Sequence, residues 1–222
     1  MKKNSFFWVG YSDLMTSLFF LMLVLFVVAY KKYEVDQKML KEIKSVEKAL
    51  SELDRKYFEF DKINKRYKLK TSINFAVNRS NIYDKKHISE KQREELLDAG
   101  RKLYHKVKTI TDANTDVDYL LVIEGMTSRY KDNFKTNPDR GYKLSYERAL
   151  ALYNFWKSNG IYFRDLEPQC EIILAGSGYF SQSRDTINEA NNKRFTIQIT
   201  SKVGKFIETK KKWKKLTGYI LD

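Results

Sequence analysis

The run FFWVGYSDLMTSLFFLMLVLFVVAY, from Phe6 to Tyr30, sets the main limit on how this chain can fold. As a helix it would be about 38 Å long at ~1.5 Å per residue, enough to cross a bilayer core of about 30 Å. A secretory leader has an apolar region of about 7–15 residues, shorter than this one and without an acid. Val27-Val28-Ala29 does, however, satisfy a small-residue cleavage pattern. One residue is out of place. Asp13 is the only ionisable group in the run apart from its tyrosines, and a carboxylate in a membrane helix costs about 2.5–3.5 kcal/mol on insertion scales. Thr16 and Ser17 follow at three and four residues, on the same helical face, and Ser12 is adjacent. The other faces carry Leu, Phe, Met and Val. A lone membrane carboxylate faces protein or a wet cavity, where it can take up and release a proton or a small cation. The plainer alternative is that Asp13 snorkels to the headgroups or joins two helices.

At 222 residues the chain has room for one span and one ordinary domain. Its formal charge is +14, almost all of it beyond the apolar run, which suggests an anionic partner: nucleic acid, acidic lipid or a wall polymer. No RNA- or DNA-binding motif accompanies the charge, so nucleic acid is not expected. Cys170 is the only cysteine, which excludes an intrachain disulfide and a cysteine metal site. His87 and His105 are too far apart for a helical metal pair. With no nucleotide loop and no nucleophile–base set, neither an enzymatic site nor a cofactor is expected.

Met39, Ile43, Val46, Leu50, Leu53, Tyr57 and Phe60 recur at alternating steps of four and three in a segment without Gly or Pro. Asn64 and Tyr67 continue the phase. This spacing predicts a helical linker over 31–69, either a parallel coiled-coil pair, and hence a homodimer, or a single amphipathic helix packed on a domain. Beyond it, alternation over Thr71–Val77 predicts a strand, and apolar spacing predicts a helix over Ile88–Lys108. A buried strand over Asp118–Gly125 comes next. A second helix is expected over Leu144–Ser158 with Ser145 as a candidate N-cap, then strands over Glu171–Gly176 and Lys193–Thr200. The order is β–α–β–α–β–β, an α+β domain. The segments are thus 1–5, a membrane helix at 6–30, the linker at 31–69, the domain at 70–200 and a basic tail at 201–222 with a candidate amphipathic helix.

Trp8-Val9-Gly10-Tyr11-Ser12-Asp13-Leu14-Met15-Thr16-Ser17 resembles the membrane helix of MotB-type stator subunits. The wording around Asp13, with no Pro before Trp8, is closer to the ZorB-type subunits of Zorya anti-phage systems than to flagellar ones. Further on, Ile73-Asn74-Phe75-Ala76, Leu144-Ser145-Tyr146-Glu147-Arg148-Ala149, Gly176-Ser177-Gly178 and Asn192-Lys193-Arg194-Phe195 resemble, in order, the OmpA-like peptidoglycan-binding domain.

The resemblance implies two copies of the chain inside a ring of five multi-span MotA/ZorA-like partners. Asp13, with Thr16 and Ser17, would pass H⁺ or Na⁺. It also implies a bacterial inner-membrane location with a cytoplasmic N-terminus and a periplasmic domain. Lysines beyond Tyr30 argue for the opposite orientation by the positive-inside rule, though loop charge matters less for a long translocated domain. For the domain, the family's Arg and an Asp grip the zwitterionic end of a peptide stem, the guanidinium on the carboxylate and the acid on the ammonium. Arg148 matches the first. The loop that should supply the acid reads Gly125-Met126-Thr127-Ser128, with Ser128 in place of Asp. Either Asp132 or Asp139 supplies the acid, or the domain grips something else. Arg194 is the remaining candidate, with orientation of the strand junction as its alternative role.

Overall fold

The computed structural model describes residues 4–51, 53–115, 117–130 and 133–202. The chain divides into two units, residues 1–47 and 48–222. Helix α1 spans Asn4–Ser51, and its segment Trp8–Gln37 is long and apolar enough to cross a membrane. Asp13, Thr16 and Ser17 are exposed on it. The Thr16 hydroxyl donates to the Ser12 carbonyl at 2.7 Å. Of the predicted heptad seam, the side chains of Met39, Ile43, Val46 and Leu50 lie outside the described ones, as does the basic tail from 203 onward.

The second unit is α+β, as the patterning predicts, with a five-stranded sheet in the order β1-β2-β5-β3-β4. Its first two strands fall where a helical linker was expected. Phe58–Asp61 (β1) and Arg66–Leu69 (β2) form an antiparallel hairpin pairing Phe58 with Leu69 and Phe60 with Tyr67. The loop between them closes on Asp61, whose carboxylate accepts from the backbone N–H groups of Ile63 at 3.2 Å and Asn64 at 3.1 Å. Lys65 takes the left-handed conformation there, at φ 53°. Burial alone would raise the Asp61 pKa, but hydrogen bonds from Asn64 and Lys68 hold it well below the carboxylate range. Leu53, Tyr57, Phe58, Tyr67 and Leu69 are all buried. The helical reading therefore fails beyond Ser51, where α1 ends: 53–57 form turns and the apolar side chains from Leu53 onward line a sheet edge and core.

The strand expected over Thr71–Val77 is also absent. Thr71, Ile73 and Phe75 are buried in alternation with more exposed neighbours, but the segment has no ladder partner, and the Phe75 N–H donates to the Ile73 carbonyl at 3.0 Å. Helix α2 (Glu90–Ala113) opens with a capping box between Ser89 and Gln92 and buries Leu96, Leu103 and Val107. Strand β3 (Tyr119–Gly125) lies parallel to β4 (Cys170–Gly176) and antiparallel to β5 (Phe195–Ser201). Its inward residues Tyr119, Leu121 and Ile123 are fully buried. Cys170 is buried at the start of β4, and burial pushes its thiol up to about 12.

After a short turn of helix, α3 (Asn133–Thr136), helix α4 runs from Pro138 to Ser158 and packs on β3 and β4. It begins a turn and a half earlier than expected, because Asn137 caps it by accepting from the Arg140 N–H at 3.1 Å and Pro138 occupies the first turn. Ser145 is therefore not a cap. Its hydroxyl donates to the Tyr142 carbonyl at 2.9 Å and accepts from the Gly178 N–H at 2.9 Å, stapling α4 to the loop after β4. Gly125 and Gly176 end their strands directly beneath it. A Cβ on Gly125 would come within 2.0 Å of the Ser145 carbonyl oxygen, and one on Gly176 within 2.5 Å of the Ser145 Oγ. On the opposite flank Trp156 donates to the Leu96 carbonyl at 2.8 Å, crossing α2 at Gly100.

Candidate functional site

The loops leaving the carboxyl ends of β3 and β4, together with the turn at Asn78 and the first half of α4, enclose a half-open cavity of about 730 Å3. Arg148 is at its base and is only 3 % exposed. The α4 helix carries it inward. Its Nε donates to the Arg79 carbonyl at 3.3 Å and its Nη1 to the Met126 carbonyl at 3.1 Å. The guanidinium lies 4.6 Å from the Phe75 ring centroid, a cation–π contact. Burial lowers its pKa to about 10, so it stays charged at neutral pH.

The loop after β3 forms one wall. The Thr127 N–H donates to the Gly178 carbonyl at 3.2 Å, joining the two loops. Thr127 and Ser128 both line the cavity, and the oxygens Thr127 Oγ1 and Ser128 Oγ are buried without a hydrogen-bond partner. Arg129 donates through Nε to the Tyr179 carbonyl at 3.1 Å, with its guanidinium 4.6 Å from the Phe134 ring centroid. The opposite wall is fixed by Glu189, whose carboxylate accepts from the Arg129 N–H at 2.8 Å and the Asn192 side chain at 3.1 Å and pairs with Arg184. Asn192 is fully buried and fastens Asp185, donating to its carbonyl at 2.9 Å and accepting from its N–H at 2.8 Å.

The sequence-predicted residues divide clearly. Arg148, Thr127 and Ser128 meet at the cavity. Asp139 does not: it is exposed in the first turn of α4, where its charge complements the helix dipole. Asp132 lies outside the described residues. Arg194 stands at a separate, smaller cavity of about 350 Å3, its Nε bonded to the Asn191 carbonyl and its Nη2 3.8 Å from Asp185. It orients the junction entering β5. Arg140, Lys193 and Glu189 complete the lining. Lys193 lies in the Asn192-Lys193-Arg194-Phe195 stretch already set beside the Arg148 motif, whereas nothing in the sequence marks Glu189.

No family model and no curated protein matches the chain. Solved structures do. A periplasmic domain of MotB is similar at 14 % identity and a TM-score of 0.41, covering 68 % of this chain and 70 % of that one. A periplasmic domain of Helicobacter pylori MotB is similar at 14 % identity and 0.42, covering 68 % and 82 %. The peptidoglycan-associated lipoprotein of Burkholderia pseudomallei is similar at 13 % identity and 0.32, covering 58 % and 88 %.

Proposed function

We propose that this chain is the B-type subunit of an ion-driven membrane motor, held to the cell wall by its α+β domain. The observation that carries the reading is Asp13, the single carboxylate in the apolar segment, with Thr16 and Ser17 on its helical face. Because the Thr16 hydroxyl donates its proton to Ser12, its remaining lone pairs are left for a water or cation beside Asp13. Two copies stand within a ring of five multi-span MotA/ZorA-like partners in the bacterial inner membrane, N-terminus cytoplasmic and domain periplasmic. Asp13 in each copy loads and releases H⁺ or Na⁺, while the Arg148 cavity grips peptidoglycan. The wording around Asp13 favours Zorya-type anti-phage defence over flagellar motility. The chain itself performs no enzymatic step.

A passive wall tether is the second reading, since the Arg148 cavity lies wholly within residues 48–222 and could anchor without ion flow. Co-expression with the multi-span partner, particle stoichiometry and ion flux in proteoliposomes discriminate the two. A two-in-ring particle whose flux stops with Asp13→Asn supports the motor. An Asp13→Asn protein with unchanged behaviour, or a chain that purifies alone, overturns it in favour of the tether.

A further inference from the structure

Outside the cavity, the surface carries an aromatic row that the core does not use. Tyr142 is 46 % exposed, and Tyr146 and Phe180 are each 45 % exposed. Single exposed aromatic residues are ordinary, whereas adjoining ones mark a contact surface. Tyr142 and Tyr146 lie about one turn apart on α4. The Tyr142 ring is 5.9 Å from that of Phe180 and tilted from it by only 31°. The row continues through Arg129, whose guanidinium lies 5.8 Å from the Phe180 ring centroid and 4.6 Å from that of Phe134. Arg129 also lines the cavity, so the row runs on from the cavity rim. Its loop is tied down. Gly178, left-handed at φ 58°, passes so close to α4 that a Cβ would stand 3.0 Å from the Tyr142 backbone nitrogen. The Gly178 N–H donates to the Ser145 hydroxyl, and the Phe180 N–H donates to the Ser177 carbonyl at 3.0 Å. Backbone ties that do not involve its ring thus hold Phe180 out toward solvent.

We infer that this row is a carbohydrate platform on which sugar rings of the wall glycan stack. This rests on the wall-binding reading above and adds a second site to it, for the sugar and not for the peptide. A pyranose presents a face of weakly positive C–H bonds, which sits on the negative face of an aromatic ring. Its rim presents hydroxyls, to which the Tyr142 and Tyr146 phenols can donate or from which they can accept. The steps along the row, 4.6, 5.8 and 5.9 Å, are comparable with the length of one sugar ring in a chain. A platform already held in place loses little conformational freedom on binding. A protein partner fits less well, because a stable interface covers about 800 Å2 on each side, far more than three half-exposed rings supply. Arg129 joins row and cavity, so a glycan lying on the row directs its peptide branch toward Arg148.

The test is calorimetric titration of the full chain, solubilised in a detergent without a sugar headgroup, against two probes. One is a chitin oligomer of β-1,4-linked N-acetylglucosamine, standing for glycan without peptide. The other is a free stem peptide without sugar. The oligomer should bind the parent saturably. Tyr142→Ser and Phe180→Ser should each weaken it at least fivefold, while the stem peptide binds both variants as it binds the parent. Phe180→Tyr keeps a ring in place and should restore oligomer binding. Both side chains stand half in solvent, so melts of the Ser variants should match the parent, and a loss then reads binding and not folding. No saturable oligomer binding, or equal binding by the parent and both Ser variants, overturns the inference. Stem-peptide binding alongside that result leaves the wall-binding reading standing. Failure of both probes overturns the two together.

Discussion

Arg148→Met tests whether the buried guanidinium is present for the fold or for a ligand. A folded pKa of about 10, well below that of an ordinary guanidinium, amounts to a cost of about 3 kcal/mol for keeping the charge inside, at about 1.4 kcal/mol per pH unit. The folded value lies below the unfolded one, so this cost is fully present at neutral pH and disappears only as pH rises through and beyond about 10. Methionine removes it and fills much of the same volume. Against that gain, the Met126 carbonyl loses its donor, roughly 1–3 kcal/mol, and Phe75 loses a cation–π partner, about 1–2 kcal/mol. The Arg79 carbonyl belongs to an exposed residue and can turn to water. The terms nearly cancel, so Arg148→Met should unfold within about 2 kcal/mol of the parent, a Tm change of no more than about 8 °C for a domain of this size. It should nonetheless lose retention on purified peptidoglycan. Thermal melts and wall co-sedimentation of the detergent-purified chain measure both. A melt lowered by more than about 10 °C would show that Arg148 is a structural tie, and unchanged co-sedimentation would remove it from the binding site.

Gly100→Ala would place a Cβ 2.4 Å from the Trp156 Nε1, breaking its bond to Leu96 and costing about 1–3 kcal/mol by overpacking, read in melts and in the Trp156 fluorescence. Cys170, with its thiol raised to about 12, should resist alkylation at pH 8 in the folded protein and react only in denaturant; mass spectrometry decides. Asp185 is held down to about 2, by the Asn191 side chain first and then by the backbone N–H groups of Asn188 and Ile187. Its contribution is complete above about pH 4 and fades as pH falls toward 2, so amide exchange in the 185–192 loop should quicken over that interval. Asp185→Asn should flatten this dependence.

Where apolar alternation coincided with a real ladder, the sequence was enough: the strands at 119–125, 170–176 and 195–201 were read to within two residues at either end. Alternation reports burial, however, not hydrogen bonding. Ile73 and Phe75 are buried and alternate with exposed neighbours, yet their segment has no strand beside it. The hairpin was hidden for a related reason. Tyr57, Phe60 and Tyr67 keep steps compatible with a heptad, and their turn lacks the Asn-Gly or Asp-Gly signal of a tight hairpin. It is built from the Asp61 side chain and a left-handed Lys65, which no propensity announces. At the site, Arg148 was legible through its surrounding motif. Lys193 and Glu189 reach it from more than forty residues away along the chain, a proximity created only by the β4–β5 connection.

The glycines ending β3 and β4 have a consequence for how such a domain can change over time. With α4 seated on Gly125 and Gly176 and pinned by Ser145, the core is closed off beneath the two loops that shape the cavity. Substitutions at exposed loop positions such as Gln182, Thr186 and Ile187 can therefore accumulate without repacking the sheet. A lineage could exchange one loop chemistry for another while the core stayed the same, and a designed library at these positions should retain folded members for the same reason.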